Sequence, residues 1–224
     1  MTAAQLQESL ARFLDALAAR LESARDAADR PSIATAIGGF MSLLMRVDRH
    51  GGPAVAPKGG GDRLPVGRHW EAALALGTGH ARDLAHALRP LRESLGWTQT
   101  AGYVRRPPAP SFLKSYGYAV IAGPPHGSPG LVVSPDLALG VLLLGPDTHY
   151  PLHRHPAAEI YCPIGGDAEW WMGEGPWRRE SAGAVIYHAP HVPHATRTGP
   201  APLLAIYLWR GDLATEARFV FDRG

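Results

Sequence analysis

The 224-residue sequence predicts a mainly β domain, a small antiparallel barrel or jelly roll, carrying an N-terminal α-helical extension. Three observations predict it. Before residue 100, apolar side chains recur every three or four residues, the period of a helix face. From Gly102 onward, short apolar runs alternate with Pro/Gly turns, the texture of an antiparallel sandwich or barrel. Of eleven histidines, six fall between His149 and His194. Histidines and a carboxylate at alternating positions, with one more histidine much later, are how a β-barrel builds a mononuclear metal site.

The elements follow in order. Leu6, Leu10, Phe13, Leu14, Leu17 and Leu21 lie on one face of a first helix, and Thr2 suits its N-cap. Pro31 suits the first turn of a second helix that buries Ile33, Ile37, Phe40, Leu43, Leu44 and Val47. Residues 51–67 are too rich in Gly and Pro for regular structure and read as a long loop, either a cover over the barrel mouth or a connector. A third helix is expected over 68–95, with Trp70, Leu74, Leu84, Leu88 and Leu91 inward and a division at Gly77 and Gly79. Pro107, Pro108 and Pro110 mark the junction, so the helical region is set at 1–100 and the barrel at 101–224. Strands are expected at 116–122, 131–133, 138–144, 159–163, 168–172, 184–187 and 203–209.

Bulk properties exclude several functions. The formal net charge is +2 and no strongly basic run exists, so nucleic-acid binding has no electrostatic support. The sole cysteine, Cys162, excludes an internal disulfide and a cysteine-rich zinc motif. Glu8, Arg12, Asp15, Arg20 and Glu22 are incompatible with a signal peptide, and no apolar run is long enough for a membrane span. A soluble, cytoplasmic protein is expected, with a homodimer left open.

Strand residues two apart share a face. His153 and His155 therefore point one way, as do Glu159 and Tyr161. A short bend at Pro156-Ala157-Ala158 would let all four converge, with His194 arriving from a neighbouring strand. Imidazole and carboxylate donors suit Zn(II), Fe(II), Mn(II) or Ni(II). Cys162 alternates out of phase with Tyr161 and should lie outside the metal face. His188 and His191 flank His194.

The run His153-x-His155-x3-Glu159-x-Tyr161, followed by Gly183 and Pro190-x3-His194, resembles the two cupin motifs. Tyr161 two residues after Glu159, Tyr150 ahead of the histidines and the helical extension look like the cupin-type dimethylsulfoniopropionate (DMSP) lyases of the DddQ/DddL group. The resemblance implies a cupin barrel and one divalent transition metal ion (Zn, Fe or Mn). It implies His155, Glu159, Tyr161 and His194 as metal ligands, with His153 as a further one. It implies Tyr150 or Tyr161 as the group that abstracts a proton, and DMSP as the small-molecule substrate.

That chemistry is consistent with these residues. β-Elimination from DMSP removes a proton next to a carboxylate and expels dimethyl sulfide, leaving acrylate. A metal at the carboxylate offsets its charge. Tyrosine ionises near pH ~10, and a nearby cation favours the phenolate. The sulfonium has no N–H to donate, so aromatic faces are its natural partners. Trp170, Trp171, Trp177, Tyr187, Tyr207 and Trp209 lie in the barrel half, and alternation turns only one of Trp170 and Trp171 inward. Trp171, Tyr187 and Tyr207 are assigned to substrate binding. Two other functions compete: an Fe(II) cupin dioxygenase, in which a ligating tyrosine would be unusual, and a non-catalytic small-molecule-binding cupin, for which a retained base has no use.

Overall fold

The computed structural model describes residues 1–49 and 64–220. Helix α1 (Ala3–Asp26) begins at a reciprocal cap. The Thr2 hydroxyl accepts from the Gln5 backbone N–H at 3.2 Å, and the Gln5 side chain accepts from the Thr2 N–H at 2.8 Å. Helix α2 (Pro31–Leu44) opens on Pro31, whose missing N–H costs nothing there. The expected loop at 51–67 lies largely outside the described residues, which resume at Leu64 with a 3-10 turn over Pro65–His69. The expected third helix is two helices, α3 (Trp70–Ala75) and α4 (His80–Leu88). The break falls where Gly79 takes φ +52°, a conformation only glycine adopts freely. A short α5 (Ala101–Arg105) precedes the barrel strands. Among the described residues, no helix is long and apolar enough to cross a membrane.

The strands are β1 (Trp97–Thr98), β2 (Tyr116–Gly123), β3 (Val132–Val133), β4 (Leu137–Leu144), β5 (His149–Arg154), β6 (Ala158–Gly165), β7 (Glu169–Met172), β8 (Arg178–Arg179), β9 (Ile186–His188), β10 (His194–Arg197), β11 (Leu203–Arg210) and β12 (Arg218–Phe219). One sheet runs β1-β2-β4-β11-β6-β9, with β3 beside β2. The other runs β12-β5-β10-β7-β8. Every pairing is antiparallel except β2 with β3. The two sheets form the barrel that the sequence predicts.

Alternation along the larger sheet sends each strand's residues to two different cores. Leu139, Val141, Ile160, Cys162, Ile206 and Leu208 face outward and pack against Phe13, Leu17, Phe40, Trp70, Leu84 and Leu88 of the helices. The helical region thus shares one apolar core with the barrel, across the 1–100 and 101–224 division. Cys162 lies in this layer, away from the metal face as expected, and burial pushes its thiol up to about 12. The inward residues, Tyr116, Leu142, Tyr150, Tyr161, Trp170 and Tyr207, build a second, aromatic cluster inside the barrel.

Candidate metal centre and cavity

Backbone pairing determines which side chains enter the barrel. On β6, Glu159 and Tyr161 stand opposite Trp209 and Tyr207 of β11, and Glu159 also stands opposite His188 of β9. On β5, His153 pairs with His194 and Tyr150 pairs with Thr196. Three steps on β5 therefore match two on β10, which is a β-bulge at Pro151 and Leu152. The bulge matters because residues three apart in a regular strand face opposite ways. Here Tyr150 and His153 face the same way, and their rings stack at 4.0 Å with 8° between planes.

Each site histidine is held by a backbone carbonyl two residues away. Nδ1 of His153, His155 and His194 lies 2.8, 3.0 and 2.9 Å from the carbonyl oxygens of Pro151, Ala157 and Val192. With Nδ1–H donated there, Nε2 keeps its lone pair for the site. Nε2 of His155 and of His194 lies 3.0 and 3.1 Å from Oε2 of Glu159. The His194 contact is close but not aligned as a hydrogen bond, so its Nε2 has no hydrogen-bonding partner. The other carboxylate oxygen accepts from the Trp209 indole N–H at 2.6 Å. The Trp209 ring also stacks on His155 at 3.9 Å.

His155, Glu159 and His194 thus point three acceptor atoms at one place, all within 4.8 Å of one another and all buried. A buried carboxylate facing two imidazole nitrogens is stabilised by positive charge, a bridging proton or a metal ion. Two imidazoles and a carboxylate suit a divalent transition metal, so the residues fit the ion that the sequence implies. Burial works to raise the Glu159 carboxyl, but the charge and hydrogen bond of His155 and the contact of His194 outweigh it. The carboxyl is held well below its ordinary range and stays ionised.

The structure places the remaining expected residues as follows. Burial, then the charge of the nearby Glu159 carboxylate, pushes the Tyr161 phenol well up. Burial, then neighbouring Tyr103, does the same to Tyr150, whose hydroxyl lies 3.2 Å from that of Tyr103. His153 stands edge-on to His194 at 4.1 Å but is not one of the three gathered donors. Burial, then the charge of His194, lowers His153 well below the usual histidine value. Tyr207 lines the cavity beside the donors. Trp171 and Tyr187 do not. Trp171 pairs with Ala195, one residue out of phase with His194, and its neighbour Trp170 is the inward one, 5.1 Å from the Tyr161 ring. Tyr187 pairs with Ile160 and packs on the helix-facing core.

Three further residues at the site were not assigned a role from sequence, although Trp209 and His188 were named there. Trp209 was detectable, because it lies two residues from Tyr207 on the same strand face. Tyr103 carries no such signal, since α5 lies outside the strand pattern. His188 is buried, neither ring nitrogen has a hydrogen-bonding partner among the described residues, and the ring stacks on His194 at 4.2 Å. Burial lowers His188 to about 3.

Glu159 of the donor group borders a cavity of about 320 Å³, walled by Tyr118, Tyr150, Tyr161, Tyr207 and Trp209. This arrangement can hold a cation, meet a small carboxylate and offer phenol oxygens to a neighbouring carbon.

Comparison with known proteins agrees with that geometry. The chain is 41% identical over 98 residues to dimethylsulfoniopropionate lyase DddQ of Ruegeria pomeroyi. That stretch is 44% of this chain and 49% of the relative, so the match spans about half the relative's length. The crystal structure of DMSP lyase DddQ from Ruegeria pomeroyi superposes with a TM-score of 0.76 at 29% identity, covering 100% of both chains. A structure reported for the DMSP lyases RdDddP and RnDddQII shares the fold, with a TM-score of 0.70 at 22% identity over 96% of this chain and 100% of the other. The family model for dimethylsulfoniopropionate lyase matches residues 42–205, a span that contains β5, β6 and β10 and with them every donor described above, and the chain belongs to that family.

Proposed function

We propose that the chain cleaves DMSP to dimethyl sulfide and acrylate by β-elimination, with Tyr150 as general base. The observation that carries this reading is the buried group of His155, Glu159 and His194, whose carboxylate borders a cavity that Tyr150 and Tyr161 also line. These three residues would hold a divalent Zn, Fe or Mn ion, with Tyr161 as a further donor. Such an ion supplies positive charge at the substrate carboxylate and at the nearby phenols, which eases loss of the adjacent proton and favours the ionised phenol.

The protein's own groups do the rest. Tyr150 takes the proton from the carbon next to the carboxylate. The released electron pair becomes the carbon–carbon double bond, the carbon–sulfur bond breaks, and the sulfur leaves with that bond's electrons as neutral dimethyl sulfide. The Tyr103 hydroxyl, 3.2 Å from that of Tyr150, can donate to the phenolate. Tyr161 stands two residues from Glu159 on the same strand face, near enough to feel its charge, which suits a ligand better than a base. The aromatic walls exclude water from the reacting carbon.

The test is incubation of the purified, metal-loaded protein with DMSP, with dimethyl sulfide and acrylate appearing in equal amounts. Tyr150→Phe should keep its metal and lose ~100- to 10,000-fold in turnover, the usual worth of a general base. Tyr161→Phe should lose metal affinity and rate together. Near-normal turnover in Tyr150→Phe beside a dead, metal-saturated Tyr161→Phe would reverse the two roles. Oxygen uptake without dimethyl sulfide would replace the lyase by an oxygenase.

A further inference from the structure

The charges around the cavity are few and one-sided. Among the described residues, no lysine or arginine lines it. The carboxylates that line it among the described residues are Glu159 and Glu216. Both oxygens of Glu159 are engaged, one by His155 and His194 and the other by Trp209. Glu216 is different. It lies after β11 in the segment that borders the cavity mouth, it is exposed, and among the described residues it forms no ion pair within 4.0 Å. Arg154 and Arg218 share a second, outer opening with it, and neither reaches it. Its charge does reach inward: after the larger effect of burial, it adds to the upward shift of the Tyr103 and Tyr118 phenols. The same cavity is lined by Tyr118, Tyr207 and Trp209, successive rings each 6.4 Å apart and set edge to face.

We propose that Glu216 is a specificity-determining residue, the anionic end of the cavity, which selects substrates whose tail carries a fixed positive charge. This rests on the lyase reading above. A zwitterion would lie with its carboxylate at the His155, Glu159 and His194 end and its sulfonium toward Glu216. A sulfonium offers no N–H, so it cannot be recognised by directed hydrogen bonds. A carboxylate acts on it through charge alone, which tolerates distance and an open mouth. The aromatic rings that line the same cavity complement a cation in the same way. Elimination then removes the charge: dimethyl sulfide is neutral, and Glu216 no longer retains it. A second anion would be repelled from the same cavity, which excludes dicarboxylates.

The test compares DMSP with 4-methylpentanoate, which replaces the sulfonium by a neutral CH of the same shape. In Glu216→Gln, the KM for DMSP should rise about fivefold, the upper range for an exposed charge pair, while kcat changes by less than about twofold. The inhibition constant of 4-methylpentanoate should stay constant, because that ligand never engaged the charge. Glu216→Lys should raise the KM further than Glu216→Gln does. Added salt should raise the wild-type KM more than that of Glu216→Gln. An unchanged KM for DMSP in Glu216→Gln, or equal losses for both ligands, overturns the proposal and leaves the lyase reading intact. If the wild-type protein releases no dimethyl sulfide, the lyase reading falls. Calorimetry with intact DMSP and 4-methylpentanoate then decides Glu216 by itself. A wild-type preference for the cation that Glu216→Gln loses supports it; equal affinities overturn it.

Discussion

Trp209→Phe isolates one bond at the centre of the site. The substitution keeps an aromatic ring where Trp209 stacks on His155 at 3.9 Å, but removes the N–H that reaches Glu159 at 2.6 Å. Glu159 is fully buried, so water cannot replace the lost donor. A hydrogen bond to a charged group contributes about 1.5–3 kcal/mol. For a chain of this length, each kcal/mol moves the melting midpoint by ~2–4 °C, so the metal-free variant should melt about 3–12 °C lower. The lower part of that range is favoured, because Trp209 is itself only part-buried. The same bond orients the carboxylate toward the two Nε2 atoms, and losing such a support typically weakens metal affinity ~10- to 100-fold. Circular dichroism melts in chelator and zinc titration against a competing chelator give the two numbers. If Trp209→Phe melts and binds zinc like the wild type, the carboxylate is oriented by something else and the account of the site is wrong.

Two further perturbations probe the barrel around the site. A Cβ on Gly140 would run into the Ala119 carbonyl oxygen and the Tyr207 hydroxyl; Gly140→Ala should cost about 1–3 kcal/mol in a denaturant melt and displace Tyr207 from the cavity wall, seen as a raised KM. His188 gives a pH dependence. Burial lowers it from 6.5 to about 3, so in acid the unfolded chain takes up a proton that the folded chain refuses. Its contribution to stability is therefore present above pH 6.5 and is lost as pH falls toward 3. Between pH 7.5 and 5 the metal-free wild type should lose about 2 kcal/mol more than His188→Leu. Parallel loss in the two proteins would refute the assignment.

What was legible in the sequence divides along one physical line. Features set by neighbours in the chain were readable. The Thr2 cap, the Pro31 start, the Gly79 break and the longer apolar strands all depend on residues within a turn or two. So did the pairing of Glu159 with Tyr161 on one face, because parity within an unbroken strand is a local property. Parity between strands is not. Trp171 was placed inward, although alternation alone cannot say which of two adjacent tryptophans faces the site; the pairing of β7 with β10 decides it, through His194 opposite Met172 and Thr196 opposite Trp170. Tyr187 failed for the same reason: His188, one residue on, stands opposite Glu159 and takes the inward place. The shared face of Tyr150 and His153 was hidden more deeply, since it needs the bulge at Pro151 and Leu152 to shift the phase of β5 by one residue. A proline inside a strand marks where such a bulge is tolerated, but only the pairing of Tyr150 with Thr196 shows that it turns Tyr150 toward the histidines. That His155, Glu159 and His194 could gather at one place was thus readable, whereas the placing of Tyr150 beside them depends on a register shift against a strand more than forty residues away.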